Sequence, residues 1–468
     1  MAKRANRFFI IRPLCFAIVL PIGCAEAPQR QPLPLQDPPL LSALGEDPLI
    51  ERWWQAFGNP RLNESVEHAL GSNFDLVAAW ERVQQAKAAV RRERADLFPE
   101  LDGVGDVQYD RRSGQGEDIE FGLGLQASYE VDLWGRIQSR VEAERLRMEA
   151  TRQDYRAAAV GLSAEVALAW YTLAEARMQV ELAESQVRTN RQLAELVEAR
   201  FRVGQVRQAD LLRQRQLVEA TIEELAIATG LAEVASHRLA ILVGRPPQTP
   251  EVAAAWALND LPPAPEVGLP SELLQRRPDV VSALLALEAS DRDVAAAVRD
   301  QYPSVNLSAS IRTAAERPER LFEEWVLSLA GQAVTPLVDG GLRRAEVDRS
   351  VAQRRELLAT YGQVVLNAMG EVEDAVALER SQSREIESLR AQLDLATETT
   401  RQLRLQYFNG AIGYIDVLTA IQDQQELERD VLEARLDAVA FRIALYRALA
   451  GGFPTPLEPA LALEAGDG

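Results

Sequence analysis

Phe121-Gly122-Leu123-Gly124-Leu125-Gln126-Ala127-Ser128-Tyr129-Glu130-Val131-Asp132-Leu133 alternates without a break: every odd position is apolar or aromatic, and every even one is Gly or polar. A period of two puts one set of side chains on each face of a β-strand. Val305, Leu307, Ala309 and Ile311 alternate with Asn306, Ser308, Ser310 and Arg312 in the same parity, and 101–109 and 325–335 follow it more loosely. Four strands are expected, at about 101–110, 120–133, 303–313 and 325–337. Each run is about the 9–11 residues that a tilted strand needs to cross a bilayer. Tyr109, Tyr129, Trp134, Tyr302 and Trp325 stand near strand ends, where membrane-interface aromatics belong. A half-buried sheet of a water-soluble protein has the same period, but no helical face is evident for it to cover. Four strands cannot close a barrel, because bacterial barrels start at eight, and an unpaired edge is not viable in lipid. If these strands lie in a membrane, several copies of the chain must share one barrel.

The remaining segments read as helices of unusual length. From Arg136 to Phe201 there is no Pro and only Gly161, giving about 65 residues or roughly 100 Å of helix. Leu342 to Phe408 matches it. Shorter helices follow, at about 208–242 and 414–449, and others precede the strand pairs, at about 73–97 and 278–299. Two short pieces end to end span roughly one long helix, which points to a hollow cylinder of antiparallel helices. Ala157, Ala158, Ala159, Gly161, Ala164, Ala167 and Ala169 suit close helix contact. An antiparallel coiled coil uses similar residues, yet it leaves the strands unassigned. No stretch of 18 consecutive apolar residues follows the leader, so no helix is expected to cross a membrane.

The chain also repeats itself after about 205 residues, far longer than a solenoid period. Phe98-Pro99 answers Tyr302-Pro303, and Gly135 answers Gly340. Phe201-Arg202-Val203-Gly204, followed by Asp210-Leu211-Leu212, answers Tyr407-Phe408-Asn409-Gly410, followed by Asp416-Val417-Leu418. One large unit of helices and two strands has been duplicated and fused.

Residues 1–23 read as an export signal: Lys3, Arg4, Arg7 and Arg12 precede a short apolar core ending at Gly23-Cys24. A small residue before Cys is what a lipoprotein signal peptidase requires, so Cys24 is the expected lipid-attachment site, although Pro21 stands where Leu is usual. Ala25 rather than Asp follows, so the usual inner-membrane retention signal is missing. Losing four basic residues and no acidic one moves the formal charge from −19 to −23. Cys15 leaves with the leader, so no intramolecular disulfide supports the mature fold. With two His and four Met, little is available for a metal site, and no cofactor is expected. No nucleophile–base arrangement or phosphate-cradling loop is visible, so no enzyme activity is expected. The domain reading is a signal peptide at 1–23, a Pro-rich tether at 24–60, repeats at 61–260 and 261–452, and a tail at 453–468.

With strands, helices and duplication established, the chain resembles the lipoprotein branch of the TolC-like outer-membrane efflux proteins. Trp53-Trp54, Phe57 and Pro60-Arg61-Leu62 look like the family's entry motif, followed by Ala69-Leu70, Asn73 and Asp75-Leu76. Ser128 to Arg136 is similar to its second-strand exit, and Pro336-Leu337-Val338-Asp339-Gly340-Gly341 to the matching exit. Pro270-Ser271-Glu272-Leu273-Leu274 and Arg276-Arg277-Pro278-Asp279-Val280 look like the start of the second half, with Leu284 where Glu is common.

The resemblance implies a mostly α fold with a small membrane β part. A homotrimer would share a twelve-stranded barrel, four strands per chain, continued by a long periplasmic α-barrel. It implies an outer-membrane location and a passive exit duct for small toxic compounds or drugs. Partners would be a periplasmic adaptor, an inner-membrane RND-type transporter and outer-membrane lipid, with no nucleic acid. A duct for type I polypeptide secretion is the nearest alternative, which the Cys24 anchor disfavours, and a structural coiled-coil envelope lipoprotein is the rival of another class. Val203, Gly204, Gln205, Asn409, Gly410 and Ala411 become candidate adaptor-docking tips. Asp416 becomes the candidate periplasmic gate carboxylate, with Tyr407 as a candidate hydrogen-bond donor and Thr419 where relatives carry a second acid. An Asp in the first turn of a helix also serves the helix dipole, as Asp210 does in the first repeat.

Overall fold

The computed structural model describes residues 41–42, 51–112, 116–248, 258, 261–265, 267 and 274–458. The leader, Cys24 and most of the Pro-rich segment lie outside the described residues, as do Pro270 to Leu273.

Seven α-helices of 13 residues or more are described: α1 (Pro60–Ser72), α2 (Phe74–Ala95), α3 (Arg136–Arg202), α4 (Gln208–Leu242), α5 (Pro278–Arg299), α6 (Leu342–Phe408) and α7 (Tyr414–Leu449). Four strands are described: β1 (Glu100–Arg112), β2 (Gly116–Val131), β3 (Ser304–Ala315) and β4 (Val326–Val334). α3 and α6 are each 67 residues, about 100 Å of helix.

Local chemistry sets the boundaries. Asn59 caps α1, its side chain accepting from Arg61 and Leu62 N–H, with Pro60 at the first helical position. Asn73 caps α2 in the same way and donates its amide to the Leu242 carbonyl at 3.0 Å, tying α2 to the end of α4. Gly244 closes that junction: its φ is 74°, and a Cβ there would stand 2.6 Å from the Ser72 carbonyl oxygen. α3 starts after Gly135 at φ 75°, where the Asp132 carboxylate accepts from Ile137 and Gln138 N–H at 3.1 and 2.8 Å.

The strands form one antiparallel sheet in the order β1-β2-β3-β4. Its register pairs odd with odd residues throughout, as in Val107 with Phe121, Leu125 with Ile311, and Ile311 with Leu327. The odd face is therefore mostly apolar and the even face mostly polar, with Val104, Val326 and Val334 among the exceptions on the even face. β1 and β4 have no outer neighbour. The helices are organised around α3. Near the strands, α2, α3, α5 and α6 pack in that order; toward the far end, α4, α3, α7 and α6 do. Sheet and helices thus share two open sides, β1 with α2 and α4, and β4 with α6.

Two differences from the sequence reading stand out. The N-terminal segment through residue 60 is not all tether: Trp53 and Trp54 are fully buried, and Phe57 nearly so. Trp53 stacks on Tyr446 at 5.6 Å and donates to Ser163 Oγ at 3.2 Å. Aromatic area of this size is too apolar to leave wet. The described part of the C-terminal segment is packed as well. Phe453 meets Trp54 at 5.0 Å, Tyr155 bonds Thr455, and Glu458 accepts from Arg156 at 3.1 Å.

α3 and α4 also each hold an 18-residue window of mean hydropathy 1.4, enough by length and composition to cross a membrane. The expectation from consecutive apolar residues overlooks them because polar residues are interspersed. The α3 window is 61% buried within the chain, whereas that of α4 is 28% buried. Ile227, Leu231, Val234 and Ile241 recur at helical spacing on the exposed side of α4.

Candidate functional site

The ends of the long helices remote from the strands are built by one device used twice. After α3, Gly204 takes φ 72° and Gln205 N–H donates to the Arg200 carbonyl at 2.9 Å. After α6, Gly410 takes φ 75° and Ala411 N–H donates to the Gln406 carbonyl at 2.9 Å. A left-handed residue just past a helix satisfies its last carbonyls. Val203, Gly204, Gln205, Asn409, Gly410 and Ala411 are all exposed.

Behind these turns the two helical hairpins share one apolar cluster. Val197 of α3, Leu211 and Leu217 of α4, and Tyr414, Val417, Leu418 and Ile421 of α7 are buried together. Tyr407 packs against that cluster from α6, its ring 5.1 Å from that of Tyr414. The Arg200 guanidinium lies 4.5 Å from the Phe408 ring and 5.6 Å from that of Tyr407, a cation–π clasp from α3 to α6.

A polar chain runs through this apolar region. Tyr414 donates its hydroxyl proton to Gln214 Oε1 at 2.5 Å, and Gln214 donates to the Asn190 carbonyl at 2.9 Å. Asn190 and Gln425 exchange amide hydrogen bonds at 3.2 and 3.3 Å, and Asn190 also donates to Thr221 at 2.9 Å. α3, α4 and α7 are thereby joined across a dry seam, where each bond is costly to leave unmade. Burial pushes the Tyr414 and Tyr407 hydroxyls above the usual tyrosine range, with Arg200 opposing the rise at Tyr407. Burial lowers the Arg404 guanidinium beside them.

The equivalent acids of the two repeats have diverged. Asp210 is buried and accepts from the Arg207 backbone N–H at 3.3 Å and from its guanidinium at 3.2 Å. Asp416, in the first turn of α7, is exposed and makes no hydrogen bond or ion pair among the described residues. Thr419 is exposed one turn further on. The sequence suggests Tyr407 as a donor to Asp416; among the described residues the two make no hydrogen bond, and the Tyr407 hydroxyl lies buried beside Arg200. The aromatic packing with Tyr414 and Arg200 holds it instead.

Sequence reasoning missed Tyr414 and Gln214. Gln214 falls within the Leu211, Leu217, Val218, Thr221 stripe of α4, and a polar residue in a buried stripe was the available signal.

At the other end, Trp134 stacks on Tyr302 at 5.2 Å and donates to the Pro303 carbonyl at 2.7 Å, with Tyr129 near the end of β2 on the same side. Tyr109 lies toward the opposite end of β1, and Trp325 immediately precedes β4. Arg136 holds Glu130 at 2.7 Å, and Arg136 and Arg343 flank Asp300 at 3.6 and 3.4 Å. The two repeats are pinned there by charge. Among the described residues no group of three or more His, Cys, Asp and Glu side chains could hold a metal ion.

Residues 66–245 and 269–451 match the family model described as "Outer membrane efflux protein". The pyoverdine export outer membrane protein OpmQ of Pseudomonas aeruginosa is 31% identical over 86% of this chain and 88% of its own length. The cation efflux system protein CusC of Escherichia coli K12 is 28% identical over 94% of this chain and 98% of its own. A crystal structure of CusC superposes with a TM-score of 0.81, at 28% identity over 92% of this chain and all of that one. The open state of the Neisseria gonorrhoeae MtrE outer membrane channel does so with 0.79, at 26% identity over 92% and 98% of the two chains. The chain belongs to the outer membrane efflux protein family and is an outer-membrane efflux channel, with a large helical part in the periplasm.

Proposed function

We propose that three copies of the chain close side to side into one duct, with a twelve-stranded barrel in the outer membrane and a helical barrel in the periplasm. The supporting observation is the pair of matching open sides. β1 and β4 are both unpaired edges of a sheet whose odd face is apolar, and α4 presents an apolar stripe on the same side as β1. Strand edges cannot stand in lipid unpaired, so a protomer with four strands must borrow neighbours. A head-to-tail contact repeated by rotation closes into a ring.

Cargo would enter from a periplasmic adaptor and an inner-membrane RND-type transporter and pass passively to the outside. The exposed glycine turns at 203–205 and 409–411 would be the docking edges. Asp416, exposed and with no ion pair among the described residues, would stand with its two symmetry mates around the axis, where like charges repel one another. Cys24 would carry the lipid anchor, a reading helped by the relative named as the probable outer membrane lipoprotein SilC of Salmonella typhimurium. Relatives are named for export of cations, pyoverdine and solvents, so the cargo is taken to be small molecules.

Purified full-length protein tests this reading. A heat-modifiable band of three chains that conducts in planar bilayers is expected. A monomer without conductance would refute the duct.

A further inference from the structure

On the polar face of the sheet, Asp106 of β1 pairs with Gly122 of β2, and Gly124 of β2 pairs with Arg312 of β3. Asp106 and Arg312 therefore sit on strands that do not touch. Neighbouring strands are about 4.8 Å apart, so these two backbones are separated by roughly 10 Å. Arg312 Nη2 nevertheless reaches Asp106 Oδ2 at 2.7 Å. The bridge passes directly over Gly122, where a Cβ would stand 2.8 Å from Arg312 Nη2 and 2.7 Å from Asp106 Oδ1. At Gly124 a Cβ would stand 3.4 Å from Arg312 Cβ and 2.8 Å from the Ile311 carbonyl oxygen. The two glycines form a lane across β2 that lets one ion pair span three strands.

The charge around this pair is one-sided. Asp102, Asp110, Asp118 and Glu120 share its parity on β1 and β2, and Glu130 lies further along, already bound by Arg136. β3 and β4 contribute Asn306, Ser308, Ser310, Ser328 and Gln332 in that parity, all uncharged. Among the described side chains of this face, Arg312 is the only base. It cancels one acid at mid-sheet height, and both partners remain partly open to water, with 52% of the Arg312 side chain and 38% of the Asp106 side chain exposed.

We propose that the Arg312–Asp106 pair sets the ion preference of the β-barrel part of the duct. This rests on the duct reading, in which the apolar odd face meets lipid and the even face lines the lumen. Threefold symmetry then places three such pairs at one height. Rings of unmatched carboxylates favour cations in a pore. The bridge holds that bias down by one charge per chain, and so decides how easily anionic cargo passes.

The test uses the full-length protein in planar bilayers under a potassium chloride gradient. Reversal potentials are read in an Asp416→Ala background, so that the periplasmic end is not the sole barrier, for the protein with the pair intact, Arg312→Gln, Asp106→Asn and the double variant. Arg312→Gln should raise the potassium-to-chloride permeability ratio by about twofold, the size expected for three partly screened charges across a water-filled lumen. Asp106→Asn should lower it by a similar factor, and the double variant should return near the value with the pair intact. Heat-modifiable trimers from every variant show that folding is intact. Equal ratios in all four conducting proteins would overturn the inference. A trimer carrying Asp416→Ala alone that conducts nothing would overturn the duct reading itself, and the inference with it.

Discussion

Replacing Tyr414 by Phe removes one oxygen and keeps the ring that fills the cluster between the hairpins. The lost bond is the 2.5 Å contact to Gln214, whose side chain is fully buried, so no water replaces it. Leaving the Gln214 acceptor unmatched costs about 1–3 kcal/mol. At about 1.4 kcal/mol per decade, that raises the population with the start of α7 detached from α4 by roughly 5- to 150-fold. Hydrogen exchange reads this directly: amides of the first turns of α7 should lose protection by that factor, while those around Trp53 should not change. Single-channel recordings of the same variant should show more frequent opening. Adding Gln214→Leu should recover most of the protection, because an apolar pair leaves nothing unmatched, and the Asn190 carbonyl keeps its helical bond. Unchanged exchange in Tyr414→Phe, or a double variant worse than the single, would refute the view that this bond holds the hairpins together.

Asp416→Ala should loosen the closed pore and weaken block by divalent cations, read as higher basal conductance; unchanged conductance and block would remove Asp416 from gating. A pH effect is expected at the seam between α3 and α7. Burial pushes the Glu175 carboxyl above the usual range, and Glu433 and Asp437 add to the rise while the 2.8 Å bond from Gln179 opposes it. A raised acid costs stability while ionised, so the seam should firm as pH falls through the raised value and level off below the ordinary glutamate pKa. Glu175→Gln should remove that contribution, read as the difference from wild type in thermal unfolding scans across pH; identical pH profiles for the two proteins would sink the assignment.

The sequence alone determined the parts whose signal is local. Parity in Phe121 to Leu133 assigns each side chain to a face without any partner strand, because a strand has a period of two wherever it pairs. Sixty-odd residues without Pro, ended by Gly204 and again by Gly410, likewise read as long helices with left-handed stops, since backbone sterics act over a few residues. Other features were decided only by tertiary structure. Tyr414 and Gln214 are 200 residues apart, and Arg312 and Asp106 are 206 apart. Nothing in either local pattern names the other member, and each pair meets only because α4, α3 and α7, or β1, β2 and β3, lie side by side. The same holds for Asp210 and Asp416, which share a place in the repeat. One is buried beneath Arg207 and the other stands free, because packing rather than sequence position fixes the environment that a carboxylate meets.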